Sequence, residues 1–194
     1  METRVAITSP TRSRPSRYAA SAVDARRTFN GAIAGSVAAA VWAAQQQADK
    51  RAFGVDYDDV EVLGKAVVKG DGWQLPGIGI HVANGAAFGA AYTQLRPFLP
   101  GPPAVKGLAV ATAEHLATWP LQALVERYHP RAGELPKLRG RRNAFLQGLW
   151  RHALFGLIMG ELEHRLNAED PDEPPEIPVS SNGHGNIELA VGAA

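Results

Sequence analysis

Residues 143–163 read NAFLQGLWRHALFGLIMGELE, and the reading of this stretch decides the fold. Gly148, His152, Gly156 and Gly160 recur every four residues, so on a helix they form one stripe. Arg151 stands beside that stripe, near the middle of the run. At 1.5 Å per residue such a helix is about 31 Å long, close to the ~30 Å hydrocarbon thickness of a bilayer.

Three more stretches have the same Ala/Gly/Leu-rich character, at 30–48, 77–95 and 104–125. Full charges in the four are few, among them Lys106, Glu114, Arg151 and Glu161. The breakers fall between them: Pro76, the Pro97–Pro103 run, Pro130 and Pro136. Four helices joined by short connections are expected. Gly31 with Gly35, Gly85 with Gly89, and Gly156 with Gly160 repeat a G-x-x-x-G pair, and Gly107 with Ala111 keeps the spacing. An interior helix glycine costs about 1 kcal/mol against alanine in water. In lipid, close backbone approach at small residues is a main source of packing energy.

These observations predict an all-α, four-helix transmembrane bundle with disordered N- and C-terminal tails. Its immediate partner is the lipid bilayer, and the glycine faces offer a route to a homo-oligomer. Against it stand a mean hydropathy of −0.15 and an alanine-dominated first run. A central Arg151 also costs roughly 2.5–3.5 kcal/mol in a span. A soluble helical interaction module is the alternative. Arg26-Arg27-Thr28-Phe29 before an Ala-rich run also looks like a twin-arginine export signal covering 26–44, and a basic flank before a first helix is the preferred reading.

The domain division follows: a basic tail at 1–28, a helical domain at 29–165, and an acidic Pro-rich tail at 166–194. The first holds Arg4, Arg12, Arg14, Arg17, Arg26 and Arg27; the last holds six acids and no Lys or Arg after Arg165. Both lack core periodicity and read as disordered. Their charges cancel to a net +1, which argues against a broad nucleic-acid-binding face. The absence of cysteine excludes disulfides, a thiol nucleophile and Cys-ligated metal.

Polar residues on the small-residue stripes are the candidate functional groups. Gly77, His81, Gly85 and Gly89 share a stripe, as do Gly107, Ala111 and His115. His81, Asn84, Glu114, His115, Arg151 and His152 are therefore expected to form a buried polar layer, with a Glu114–Arg151 ion pair between the third and fourth helices. Such a layer admits a proton or ion path, a haem held by His115 and His152, or cross-helix hydrogen bonds that only fix register. No further cofactor, metal site or catalytic set is read from the sequence, and the chain is not expected to be an enzyme.

Other motifs are incomplete. Gly77-Ile78-Gly79 lacks the third glycine of a dinucleotide loop, and there is no phosphate loop or H-E-x-x-H. Glu161 and His164 have E-x-x-H spacing without the second copy that a di-iron bundle needs. Asp56, Asp58, Asp59 and Glu61 lack the frame of a calcium loop. Asp58 or Asp59 instead starts a short helix whose Val60, Leu63, Val67 and Val68 make one face.

The order of features resembles the YagU-type family of small bacterial inner-membrane proteins. The matching pieces are the basic tail before Gly31-Ala32-Ile33-Ala34-Gly35, His81 early in a second helix, His115-Leu116-Ala117-Thr118-Trp119-Pro120, a last helix with His152 and Glu161, and an acidic proline tail at 171–178. The resemblance implies a multi-pass inner-membrane protein without an assigned biochemical activity, linked to acid tolerance. Basic residues divide almost evenly between the two sides, so charge does not orient the chain.

Overall fold

The computed structural model describes residues 24–168, and all of its regular structure in that range is helical. Six α-helices follow in order: α1 (Ala25–Phe53), α2 (Asp59–Val67), α3 (Gln74–Leu95), α4 (Pro103–Thr118), α5 (Gln122–Tyr128) and α6 (Arg142–Leu166). The two tail predictions lie mostly outside the described residues. Where they overlap, the first needs correction: Asp24 caps α1 by accepting from the N–H groups of Arg26 and Arg27, so the helix starts before residue 29. α1 then runs to Phe53 and stops at Gly54, whose φ of 63° is the left-handed cap that glycine favours. Asp58 caps α2 through Val60 and Glu61, as its position suggests.

Two backbone-to-backbone seams build the bundle. Along the first, Gly31 and Gly35 of α1 lie against Gly85 and Gly89 of α3. Along the second, Gly107 of α4 lies against Gly156 and Gly160 of α6. α1 also packs on α6, joining the two pairs, and α2 packs on α3. The G-x-x-x-G faces are thus occupied by one another within the chain. The central core is correspondingly small-sided: Ala34, Ala38, Ala39 and Ala111 with Trp42, Tyr92, Phe155 and Met159. Other apolar side chains face outward, as along the stripe Phe29, Ile33, Val37 and Val41 of α1.

The transmembrane expectation is overturned. No helix among the described residues is long and apolar enough to cross a membrane, so the multi-pass architecture is not supported. The physical reasons differ by helix. The 104–125 stretch is not one helix: α4 ends at Thr118, Trp119–Leu121 forms a 3-10 turn around Pro120, and α5 follows. The 16 residues of α4 span only about 24 Å. α6 carries Arg151, Glu161 and Glu163, α1 owes its apolarity to alanine, and α3 spends its length on Gly and Ala with His81 and Asn84.

Two polar layers tie the helices together where the seams leave room. At one end Arg96 donates to Glu163 at 2.6 Å, both fully buried, and Asn167 donates to the same carboxylate at 2.8 Å. Asn30 reaches across from α1 to Leu166 O and Asn167. The other layer frames the candidate site.

Candidate functional site

Arg151 projects from the middle of α6 with no exposure at all, and the chain surrounds it with acceptors. Its Nε and Nη2 donate to the two oxygens of Asp49 at 2.7 and 2.6 Å, a bidentate pair. Nη1 donates to Asp59 at 2.7 Å, and Nη2 also reaches Tyr57 O at 2.9 Å. Burial works against the charge, yet the Asp49 hydrogen bonds and the two carboxylates hold this guanidinium above its ordinary range. Gln147, one turn before Arg151, donates to Asp49 and to Val55 O. Trp42 Nε1 donates to Asp59 at 3.1 Å. Burial first, and then the Asp59 carboxylate, push the Tyr57 hydroxyl well above its usual value, so it stays protonated.

The expected Glu114–Arg151 pair does not form. Glu114 accepts instead from His152 Nε2 at 2.8 Å, while His152 Nδ1 lies 2.7 Å from Gly148 O. Both ring nitrogens of His152 are therefore engaged, one by a carboxylate and one by a backbone carbonyl. The His152 hydrogen bond holds the Glu114 carboxyl below its ordinary value despite partial burial. The choice of partner has a simple cause. Asp49 and Asp59 flank Arg151 from α1 and α2, whereas Glu114 lies at the level of His152, one residue further along α6 and on a different face.

The histidines are brought together as the stripes suggest. The His115 and His152 rings pack at 4.7 Å between centroids, and His115 is walled by Trp119 and Phe145. Burial, with His152 beside it, lowers the His115 pKa from its ordinary value. The arrangement does not fit a haem between them: the rings touch one another, and both nitrogens of His152 are engaged. His81 sits across Trp42, with its Nε2 3.1 Å from Ala39 O, and burial lowers its pKa too. Asn84 departs from the expectation; it is exposed and lies at the cleft rim rather than in a buried layer.

Asp59, His81, Glu114 and His152 converge on an open cleft of about 280 Å³, with Arg151, Asp49 and His115 behind its wall. Trp42, Phe88 and Phe155 supply its apolar walls; Asp59, His81, Glu114 and His152 supply its polar side. Residues from all six helices reach it, including Gln122 at the start of α5. The arrangement can orient and charge-match a ligand.

Asp49, Tyr57, Asp59 and Trp42 were not singled out as site residues by sequence reasoning. The signal for Asp49 and Trp42 was present: buried positions on α1 run Gly31, Gly35, Ala38, Trp42, Gln46, Asp49, so both continue the small-residue stripe. Arg96 and Glu163 carried the same mark, each three residues beyond its own stripe at Thr93 and Gly160. Comparison with protein families, characterised proteins and solved structures returned no match, so the resemblance to YagU-type proteins rests on the residues quoted above alone.

Proposed function

We propose that this protein is a helical binding module whose cleft takes a small organic cation with an apolar body. The observation that carries the reading is the convergence of Asp59, Glu114, His152 and His81 on a cleft walled by Trp42, Phe88 and Phe155. A few oriented polar groups in an apolar concavity are the general form of a small-molecule site.

Charge decides the ligand class. One guanidinium, Arg151, serves two carboxylates, Asp49 and Asp59, and a third carboxylate, Glu114, is hydrogen-bonded to His152. Three carboxylates against one guanidinium leave the layer with at least one negative charge in excess. Glu114 is the more accessible carboxylate, with more than a third of its side chain in solvent. A ligand ammonium there meets a carboxylate on one side and aromatic faces on the other, a combination that favours cations.

The test is calorimetric titration of the full chain with phenethylamine, and with phenylpropionate as the anionic counterpart of similar shape. Phenethylamine is expected to bind and to raise the melting temperature, and phenylpropionate to do neither. Glu114→Gln should weaken amine binding about tenfold, equivalent to ~1.4 kcal/mol. Equal binding of the anion, or no amine binding at millimolar concentration, would overturn the proposal.

A further inference from the structure

The end of the molecule built by α5 and the loop after it carries a feature unrelated to the cleft. From Arg127 to Arg142 the chain has Arg127, Arg131, Lys137, Arg139, Arg141 and Arg142 against one acid, Glu134. That acid is already taken, by Arg131 and Lys65. Lys137, Arg139, Arg141 and Arg142 are exposed, and none has an ion pair among the described residues.

This cluster is held in place by a built platform. Glu126 of α5 accepts from the backbone N–H groups of Leu138 and Arg139 at 2.6 and 2.8 Å. Leu138, only 2% exposed, anchors the loop in a small core with Val55 and Ala144. Its carbonyl accepts from Arg141 N–H, closing a turn in which Gly140 takes a φ of 74°. Asn143 donates to Phe53 O, which docks the start of α6 on the end of α1 and brings exposed Arg51 to the same end. A buried leucine and a carboxylate clamp therefore hold a row of cations outward.

Apolar side chains accompany the cations. Leu121 and Leu124 are each about half exposed and Tyr128 is 67% exposed, while the Arg127 guanidinium stacks on the Tyr128 ring. Exposed cations, protruding leucines and an aromatic ring carried by α5 and the loop clamped to it match the boundary of an anionic bilayer, where headgroups take the charge and the acyl edge takes the leucines. A nucleic acid would meet the cations and leave the leucines in water.

We propose that this end of the molecule docks peripherally on an anionic lipid surface, with Lys137, Arg139, Arg141 and Arg142 on the headgroups and Leu121, Leu124 and Tyr128 in the interfacial layer. The contact is made by a surface, with no helix crossing. Each basic residue near an anionic membrane strengthens binding by roughly fivefold, so three arginines account for about a hundredfold.

The experiment is flotation of the full chain with vesicles of phosphatidylcholine alone or with 30 mol% (about one lipid in three) phosphatidylglycerol. The expected result is binding to the anionic vesicles only, weakened by salt. Changing Arg139, Arg141 and Arg142 together to Gln should lower it about a hundredfold. Leu121→Ser with Leu124→Ser should weaken it at unchanged circular dichroism. All these side chains are exposed, so the variants keep the fold. Failure to bind either vesicle, or equal binding to both, overturns the proposal. So does binding of a short RNA that the arginine changes abolish and the leucine changes leave intact.

Discussion

Substituting alanine for glycine at two positions of α3 should move stability in opposite directions, and the structure gives the sizes. At Gly85, a new Cβ would sit 2.5 Å from Ala39 Cβ and 2.6 Å from Gly35 O. Carbon atoms pack at about 3.5–4.0 Å, so α1 and α3 would have to part by about 1 Å at that level. Gly89 and Gly31 sit one turn along and are equally close, so the separation cannot be absorbed locally. Overpacking of this kind costs typically 1–3 kcal/mol, against roughly 1 kcal/mol gained in helix propensity. Opening the seam also loosens the packing of Gly31 on Gly89, which pushes the total toward the upper end. Gly85→Ala should thus destabilise by about 1–2 kcal/mol net, lowering Tm by about 2–8 °C. At Gly79, six residues earlier on the same helix, a Cβ meets nothing within 4 Å. Gly79→Ala should keep the propensity gain and stabilise by up to about 1 kcal/mol. Urea denaturation of the two variants and the parent, followed by far-UV circular dichroism, reads both signs. A Gly85→Ala chain as stable as Gly79→Ala would show that the α1–α3 backbones are not in contact, and the seam would have to be abandoned.

Other expectations follow from the polar layers. Arg151→Met strands Asp49 and Asp59 without their cation and should cost about 3–5 kcal/mol, part of it restored by adding Asp49→Asn; a loss under about 1 kcal/mol in denaturant titration would refute the ion-pair assignment. Acidification should destabilise the fold in two windows. His81 and His115 have folded pKa values below the ordinary 6.5 through burial, so their stabilisation is complete above about pH 6.5 and fades below it, as the unfolded chain takes protons that the folded one refuses. Glu114, lowered by its His152 hydrogen bond, adds a further loss below about pH 4.5. Melting curves from pH 7.5 downward check this, and His81→Gln with His115→Gln should flatten the upper window alone; a melting temperature that rises on acidification between pH 7 and 5 would contradict it.

Much of the helix layout follows from local chemistry. Asp24 and Asp58 start helices because their carboxylates reach the first free N–H groups, and Gly54 ends one because it accepts a positive φ. The four-residue recurrence of Gly31, Gly35, Gly85, Gly89, Gly107, Gly156 and Gly160 determined which faces meet, because only a face without side chains lets two backbones touch. The same recurrence turned His115 and His152 toward one another and His81 toward the far side of Trp42. It did not determine the medium: close backbone contact is available with or without lipid outside. That reading turned on helix length and apolarity, where Pro120 divides the third stretch and polar groups interrupt the others.

Partner choice belonged to the tertiary structure. Arg151 and Asp49 are 102 residues apart in the chain, and no local rule selects Asp49 over the nearer Glu114. The selection is geometric: the packing of α1 on α6 and the cap of α2 place Asp49 and Asp59 around the guanidinium, and the register of α4 on α6 sets Glu114 against His152 instead. Stripes are written in the spacing of residues along one helix, which the sequence contains. Pairings depend on how far one helix slides and turns against another, and that is fixed only when all the seams close together.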